Sequence, residues 1–443
     1  MPSIDPETKD RVEETYFIDT HEHLIEESAR LSGPRGKGDR FLPCDDWSYL
    51  LLNYSSSDLI SAGMSTEEQS KFFDPATDVE EKWHILSPYW DKCRNTGYMR
   101  AALYSIQRLY EEEDISKESV GRITQRMRYK VKKGFYQEII RNISRVESCQ
   151  VNSLEKVFME TEYPTLLFQD LSTVAMSTGL DVERLSAESN LPAGSLKEWK
   201  RIIDWHFETY GPKAIAVKNQ SAYNRRLDYE DVPEAVAAPL FEKHIRGKEP
   251  LKPDEAKSLQ DHLFRYTVKR STDYNLPVKL HTGYYAGANT MPLHRLRRNA
   301  GDLCPLLKDF PNTRFVLMHI GYPYQDEFIA LAKHYTNAYI DMCWSWIINP
   351  VASVRFLKEF LLAAPASKLL TFGGDYTGVE LVYGHSRIAR QGITQVLGEL
   401  VEEGWMRRSE AMSLIERIMR GNAYQIFNIG SKTKYLEKIQ RKS

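Results

Sequence analysis

Eight short apolar runs with β character, most of them separated by helix-patterned stretches, restrict the fold of this chain more than any other feature. They fall at 16–20, 147–153, 165–170, 214–218, 277–281, 314–319, 338–343 and 369–375. Between them, apolar residues recur every three or four positions at 196–209, 254–274, 325–335, 351–363 and 387–402, the spacing of one helix face. Strands that alternate with helices pair in parallel, because each crossover must return over the sheet. Eight such units close on themselves, so the pattern predicts an α/β chain folded as a (β/α)8 TIM barrel. A doubly wound open sheet would carry a glycine-rich phosphate fingerprint after its first strand, and none follows residue 20.

The interval between the first two runs is too long for a loop. Residues 24–145 hold helical patterns over 97–113 and 117–145, and an aromatic stretch from Trp83 to Tyr98. We read 1–443 as one barrel domain, with 24–145 a helical insertion over the C-terminal mouth and Trp90 and Tyr98 as residues of a lid. A second excursion, 219–252, follows the fourth run.

Barrel enzymes place their chemistry where strands end and βα loops begin. Four of the 11 histidines lie at such ends: His21, His23, His281 and His319. His21 and His23 are separated by one residue, and side chains two apart on a strand share a face. Neutral imidazoles delivered together to a strand end suit a divalent metal. Asp375 closes the last run. The expected ligand set is therefore His21, His23, His281 and Asp375 around one ion, zinc first and manganese as the alternative. Asp375 would also take a proton from an activated water, and His319 would polarise a carbonyl or act as an acid/base. Glu22 alternates away from the histidines and is expected to be solvated or to sit behind the ligands. Arg226, Tyr284, Trp344 and Arg387 fall in or near βα loops and are candidate substrate contacts.

This constellation resembles the amidohydrolase superfamily over roughly 15–24 and 146–430. The chain is most similar to its amidohydrolase-2 branch, which includes metal-dependent decarboxylases and the amidohydrolase domain of nodulin/FluG-like proteins. The resemblance rests on the histidines and Asp375, on Met318-His319-Ile320-Gly321-Tyr322-Pro323, on Phe372-Gly373-Gly374-Asp375-Tyr376, and on the segment 421–427. It implies a metal-dependent hydrolase acting on a C–N or C–O bond of a small substrate, with a carboxylate among the groups that substrate could bear. Decarboxylation and uronate-type isomerisation are alternatives on the same site, and a non-catalytic barrel is a further one. Lys218 ends the fourth run, where some members carry a lysine whose carbamate bridges two metals. A second ion would follow if Lys218 is carboxylated; a lysine that binds a substrate carboxylate is the other reading, and one ion is expected.

Composition narrows the partners. A net charge of -2 with 27% charged residues gives no nucleic-acid or membrane surface, so a small-molecule substrate is expected. Five cysteines without a Cys-x-x-Cys pair read as free thiols in a reducing compartment. The polar N-terminus lacks the apolar stretch of a signal peptide, which points to the cytoplasm. The sequence leaves oligomeric state open, a homo-oligomer included.

Overall fold

The computed structural model describes residues 5–36, 38–247 and 249–441. Its strands are β1 (Phe17–Glu22), β2 (Val146–Val151), β3 (Leu167–Gln169), β4 (Leu171–Ser172), β5 (Val217–Asn219), β6 (Val278–Leu280), β7 (Phe315–Leu317), β8 (Ala338–Asp341) and β9 (Leu369–Leu370). Every pairing is parallel: β1-β2-β3 form one ladder and β4 through β9 another. Only Asp170 separates β3 from β4, and its amide bonds back to Val151 while Leu171 bonds to Ala216. These two short strands are thus one interrupted stave, and the nine segments fill eight barrel positions. The TIM barrel expected from the alternating pattern is the fold.

The barrel closes where β1 meets the segment after β9. Thr20 N donates to Phe372 O at 3.0 Å, Asp375 N to His21 O at 2.9 Å, and His23 N to Tyr376 O at 2.9 Å. Two buried carboxyl groups hold this seam from behind. Asp19 accepts from the His21 amide, and Glu22 accepts from the Tyr376 amide at 2.6 Å. Glu22 is fully buried, so the solvated alternative for it does not hold. Inside the barrel, Lys279 donates to both oxygens of Asp170 and to Thr20 O, tying β6 to β1 and to the interrupted stave.

The expected helices are present as Leu196–Tyr210, Pro253–Asp273, Gln325–His334, Pro350–Ala363 and Leu381–Glu402. Between β1 and β2 the chain is helical, as the spacing suggested, with one difference. The pattern over 117–145 forms Val120–Lys130, then breaks over 131–134, where Gly134 adopts a left-handed φ of 91°. The helix Gly97–Tyr110 packs on Leu381–Glu402 so closely that a Cβ on Gly384 would lie 1.8 Å from Ala101 O. The five cysteines are all unpaired, as expected. Among the described residues no helix is long and apolar enough to cross a membrane.

Gly374 lets the seam form. A Cβ there would lie 1.9 Å from Glu22 Oε1, inside van der Waals contact with a buried carboxyl. Gly374→Ala should therefore lower stability by about 1–3 kcal/mol through overpacking. Thermal melts of Gly374→Ala and of Gly374→Ala combined with Glu22→Ala check this. The second change should recover part of the loss, and a double variant no more stable than the single would contradict the packing account.

Candidate metal centre

The β1–β9 seam delivers three side chains to one point. His21 Nε2 and His23 Nε2 each lie 3.2 Å from the same Asp375 oxygen, Oδ1. The donor atoms of this trio all fall within 4.8 Å of one another. The other oxygen, Oδ2, faces His319 Nε2 at 3.8 Å. Three site residues, His319, Trp344 and Asp375, hold positive φ of 62°, 63° and 65° at the ends of β7, β8 and β9. Each such non-glycine residue costs of order 1–3 kcal/mol, and such residues persist where surrounding structure forces them, commonly at functional sites.

Protonation tests whether the trio fits a cation. His23 Nδ1 lies 2.7 Å from the Asn152 carbonyl, which can only accept, so the ring proton is placed on Nδ1. Its Nε2 is then the ring nitrogen turned toward the Asp375 carboxylate, where a ligand nitrogen would stand. Burial, together with the charge of Lys218, pushes the His21 pKa well below its usual value, so His21 supplies no compensating proton charge. Asp375 is held well below the ordinary carboxylate range: burial alone would raise it, and His21 and His23 more than offset that. Two imidazoles and a carboxylate converging in a buried pocket are the donor set of a divalent metal. The residues fit the ion.

The structure places the remaining sequence candidates unevenly. His281 stands one step from the trio: its Nε2 meets the Tyr284 carbonyl at 2.9 Å and its Nδ1 faces His319 Nε2 at 3.1 Å. Sequence spacing could not register this, because the imidazole is turned by a contact three residues along its own loop. His319 Nδ1 lies 3.0 Å from Cys343 O, and burial lowers its pKa to about 4, so it is neutral. Lys218 Nζ reaches His21 Nε2 at 3.4 Å and Met318 Sδ at 2.7 Å, and burial pushes it down to about 8.

The four candidate substrate contacts divide. Tyr284 lines the cavity beside the trio. Trp344 is fully buried beneath it, with its ring 4.6 Å from Tyr54 and 5.2 Å from His319. Arg226 is turned away into an ion pair with Asp302, at 2.5 Å. Arg387 lies over the Tyr104 ring in a cleft with Glu13, Glu14 and Arg145, the segments that precede β1 and β2. That cleft is at the N-terminal end of the barrel, opposite the metal trio. Both arginines were expected at the mouth from their sequence position, and neither lines the cavity there.

The cavity over the trio has two adjoining lobes of about 430 and 350 Å³ that share Tyr54, Ser57, Ala286 and Gly287. His23, His281 and Asp375 form the floor of the first. Sequence reasoning missed Tyr54, whose hydroxyl donates to Asp375 O at 2.5 Å and whose ring stacks on Tyr98. It also missed Arg40 and Asp58 in the walls. All three lie within 24–145, where helical periodicity gives no register against the barrel. Of the aromatic stretch assigned to a lid, Tyr98 reaches the cavity, whereas Trp90 is buried under Arg94 and lines neither lobe.

Comparison with known proteins follows this geometry. The amidohydrolase family matches residues 235–429. Protein FluG of Emericella nidulans is 29% identical over 181 residues, 40% of this chain and 20% of FluG, so the matched stretch is about a fifth of that relative's length. The fold superposes on a uronate isomerase from Thermotoga maritima with a TM-score of 0.76 at 16% identity, over 95% of this chain and 96% of that one. A Lactobacillus casei protein described as a metal-dependent hydrolase gives 0.68 at 14% identity, over 96% and 98%. At such identities the likeness establishes the fold alone. The family match spans residues 235–429, less than half of the chain, and over that stretch the chain is similar to the amidohydrolase family that its motifs resemble.

Proposed function

We propose that the protein is a metal-dependent hydrolase that cleaves a C–N bond, or a related C–O bond, in a small molecule bound in the two-lobed cavity. The observation that carries this reading is the convergence of His21 Nε2 and His23 Nε2 on one oxygen of Asp375, each at 3.2 Å, on the cavity floor. Those three side chains would hold the ion, with His281 as a further donor beside His319. When bound, a zinc-like ion supplies Lewis acidity toward water and a carbonyl.

This chain's residues do the rest. Asp375 Oδ2 is not shared with the two histidines, and it is the group placed to accept a proton from the attacking water. His319 is neutral with its Nδ1 on Cys343 O, so its Nε2, 3.8 Å from that oxygen, would act as an acid/base beside the reacting atoms. Asp375 then returns the proton to the leaving nitrogen. The Tyr54 hydroxyl, bonded to Asp375 O, fixes the loop that carries the carboxylate. Tyr54 and Tyr98 cover the site from the inserted helices, and excluding water there strengthens each polar contact. Lys218, buried against His21, would either bind a substrate carboxylate or, as a carbamate, complete a second metal position.

Decarboxylation and isomerisation use similar donors, so the test must separate products. Purified protein, loaded with zinc or manganese, should release amine or alcohol from members of an amide, ester and lactone panel, and lose that activity on chelation. Asp375→Asn should cut kcat by roughly 10²–10⁴, the typical contribution of a positioned acid/base, with the fold intact by circular dichroism. His319→Ala should lower kcat while retaining the metal. Turnover of aromatic carboxylates to carbon dioxide, or of uronates to ketoses, with no hydrolysis would overturn the hydrolase reading. Loss of metal from His319→Ala in proportion to activity would make His319 a ligand instead.

A further inference from the structure

Apart from the His21–His23–Asp375 trio, each lobe of the cavity is lined by one charged side chain without an ion-pair partner among the described residues, and the two charges are opposite. Arg40 is the one basic side chain lining the first lobe, and its guanidinium rests 4.8 Å from the Phe41 ring rather than on a carboxylate. Asn53, Gln220 and Asn224 line the same lobe. A guanidinium in a lobe that also offers side-chain amides is the chemistry that grips a carboxylate. Asp58 is the one charged residue lining the second lobe, where its carboxylate accepts from the Thr96 hydroxyl at 2.5 Å and meets no basic group among the described residues. Tyr54, Tyr98 and Tyr284 line the same lobe. A carboxylate within an aromatic enclosure is the chemistry that grips an alkylammonium, by ion pairing and by cation–π contact.

Several charged side chains elsewhere in the chain are paired. Arg226 meets Asp302, Arg225 meets Asp261, and Arg30 meets Glu380. Asp58 is half-buried, so its uncompensated charge costs desolvation free energy that a ligand of opposite sign relieves, whereas Arg40 is exposed and free to meet an anion. Two such charges in lobes that adjoin along Tyr54 and Ser57 describe one ligand with two ends.

We infer that the substrate is a small zwitterion, with a carboxylate held by Arg40 in the first lobe and an ammonium group held by Asp58 and the tyrosines in the second. The inference rests on reading this cavity as the substrate site, and combined with that reading it names the substrate class: an amide built from an amino acid. Opposite charges at the two ends orient such a molecule and reject singly charged analogues, in which one wall group is left unpaired.

The test uses ligands without a hydrolysable bond, so that binding is read apart from chemistry. Calorimetry on the metal-loaded protein compares 5-aminopentanoate and 6-aminohexanoate with pentanoate, hexanoate, pentylamine and hexylamine. At least one zwitterion should bind about tenfold or more tightly than either singly charged analogue of its length, because each analogue leaves a wall charge unpaired. Arg40→Gln should erase the advantage over the amine, and Asp58→Asn the advantage over the carboxylate. Equal affinities across the series, or an advantage untouched by both substitutions, would overturn the inference. Metal content and hydrolysis, measured on the same samples, report on the hydrolase reading separately. A protein that holds metal and hydrolyses amides but does not prefer zwitterions retains that reading and loses this inference. One that prefers zwitterions but neither holds metal nor hydrolyses amides does the reverse.

Discussion

Barrel closure and assembly of the candidate metal centre are the same set of hydrogen bonds. The amide of Asp375 bonds to the carbonyl of His21, and the amide of His23 bonds to the carbonyl of Tyr376. Each contact that seals the last stave to the first therefore also fixes a donor side chain against its partner. Whatever loosens the seam separates the imidazoles from the carboxylate. This explains why residues that touch no substrate are so constrained: Gly374 has no room for a Cβ beside Glu22, and Glu22 and Asp19 are buried carboxyl groups bonded to backbone amides of the seam. Burial first, and the charge of Asp19 next, raise Glu22 well above the usual carboxyl range, so it holds the Tyr376 amide without adding a second negative charge behind the ligands.

The electrostatics of the floor follow from that geometry. Imidazoles surround a carboxylate in a buried space, and the orientation of His23, set by Asn152 O, directs Nε2 at Asp375. Donor atoms converging on one point in such a space are the setting in which a cation would be held. The left-handed backbone of His319, Trp344 and Asp375 belongs to the same design, since strand ends that turn sharply at the mouth aim these side chains inward instead of along the barrel wall. The inserted helices complete the enclosure by placing Tyr54 and Tyr98 over it.

The barrel was legible because its signals are local. Apolar runs and helical spacing marked the strands to within a few residues, and His21, His23 and Asp375 could be brought together because strand ends converge in any closed barrel. The interruption at Asp170 was not visible, since a buried aspartate paired with Lys279 resembles any other polar residue at the end of an apolar run. Arg226 and Arg387 were misplaced for a related reason: proximity to a βα loop in sequence does not say which way a long side chain turns, and Asp302 and Tyr104 decide that through tertiary packing. Tyr54, Arg40 and Asp58 were out of reach because they arrive from an insertion whose docking depends on shape, such as the contact of Gly384 with Ala101, and not on any periodic pattern.

The central claim is that the seam creates a cation site, and anomalous diffraction addresses it most directly. Crystals of protein purified with zinc, measured on both sides of the zinc absorption edge, should show one anomalous peak touching His21 Nε2, His23 Nε2 and Asp375 at roughly 2.0–2.2 Å. A map with no peak there after zinc and manganese loading, and with the three side chains in the arrangement described, would contradict the account.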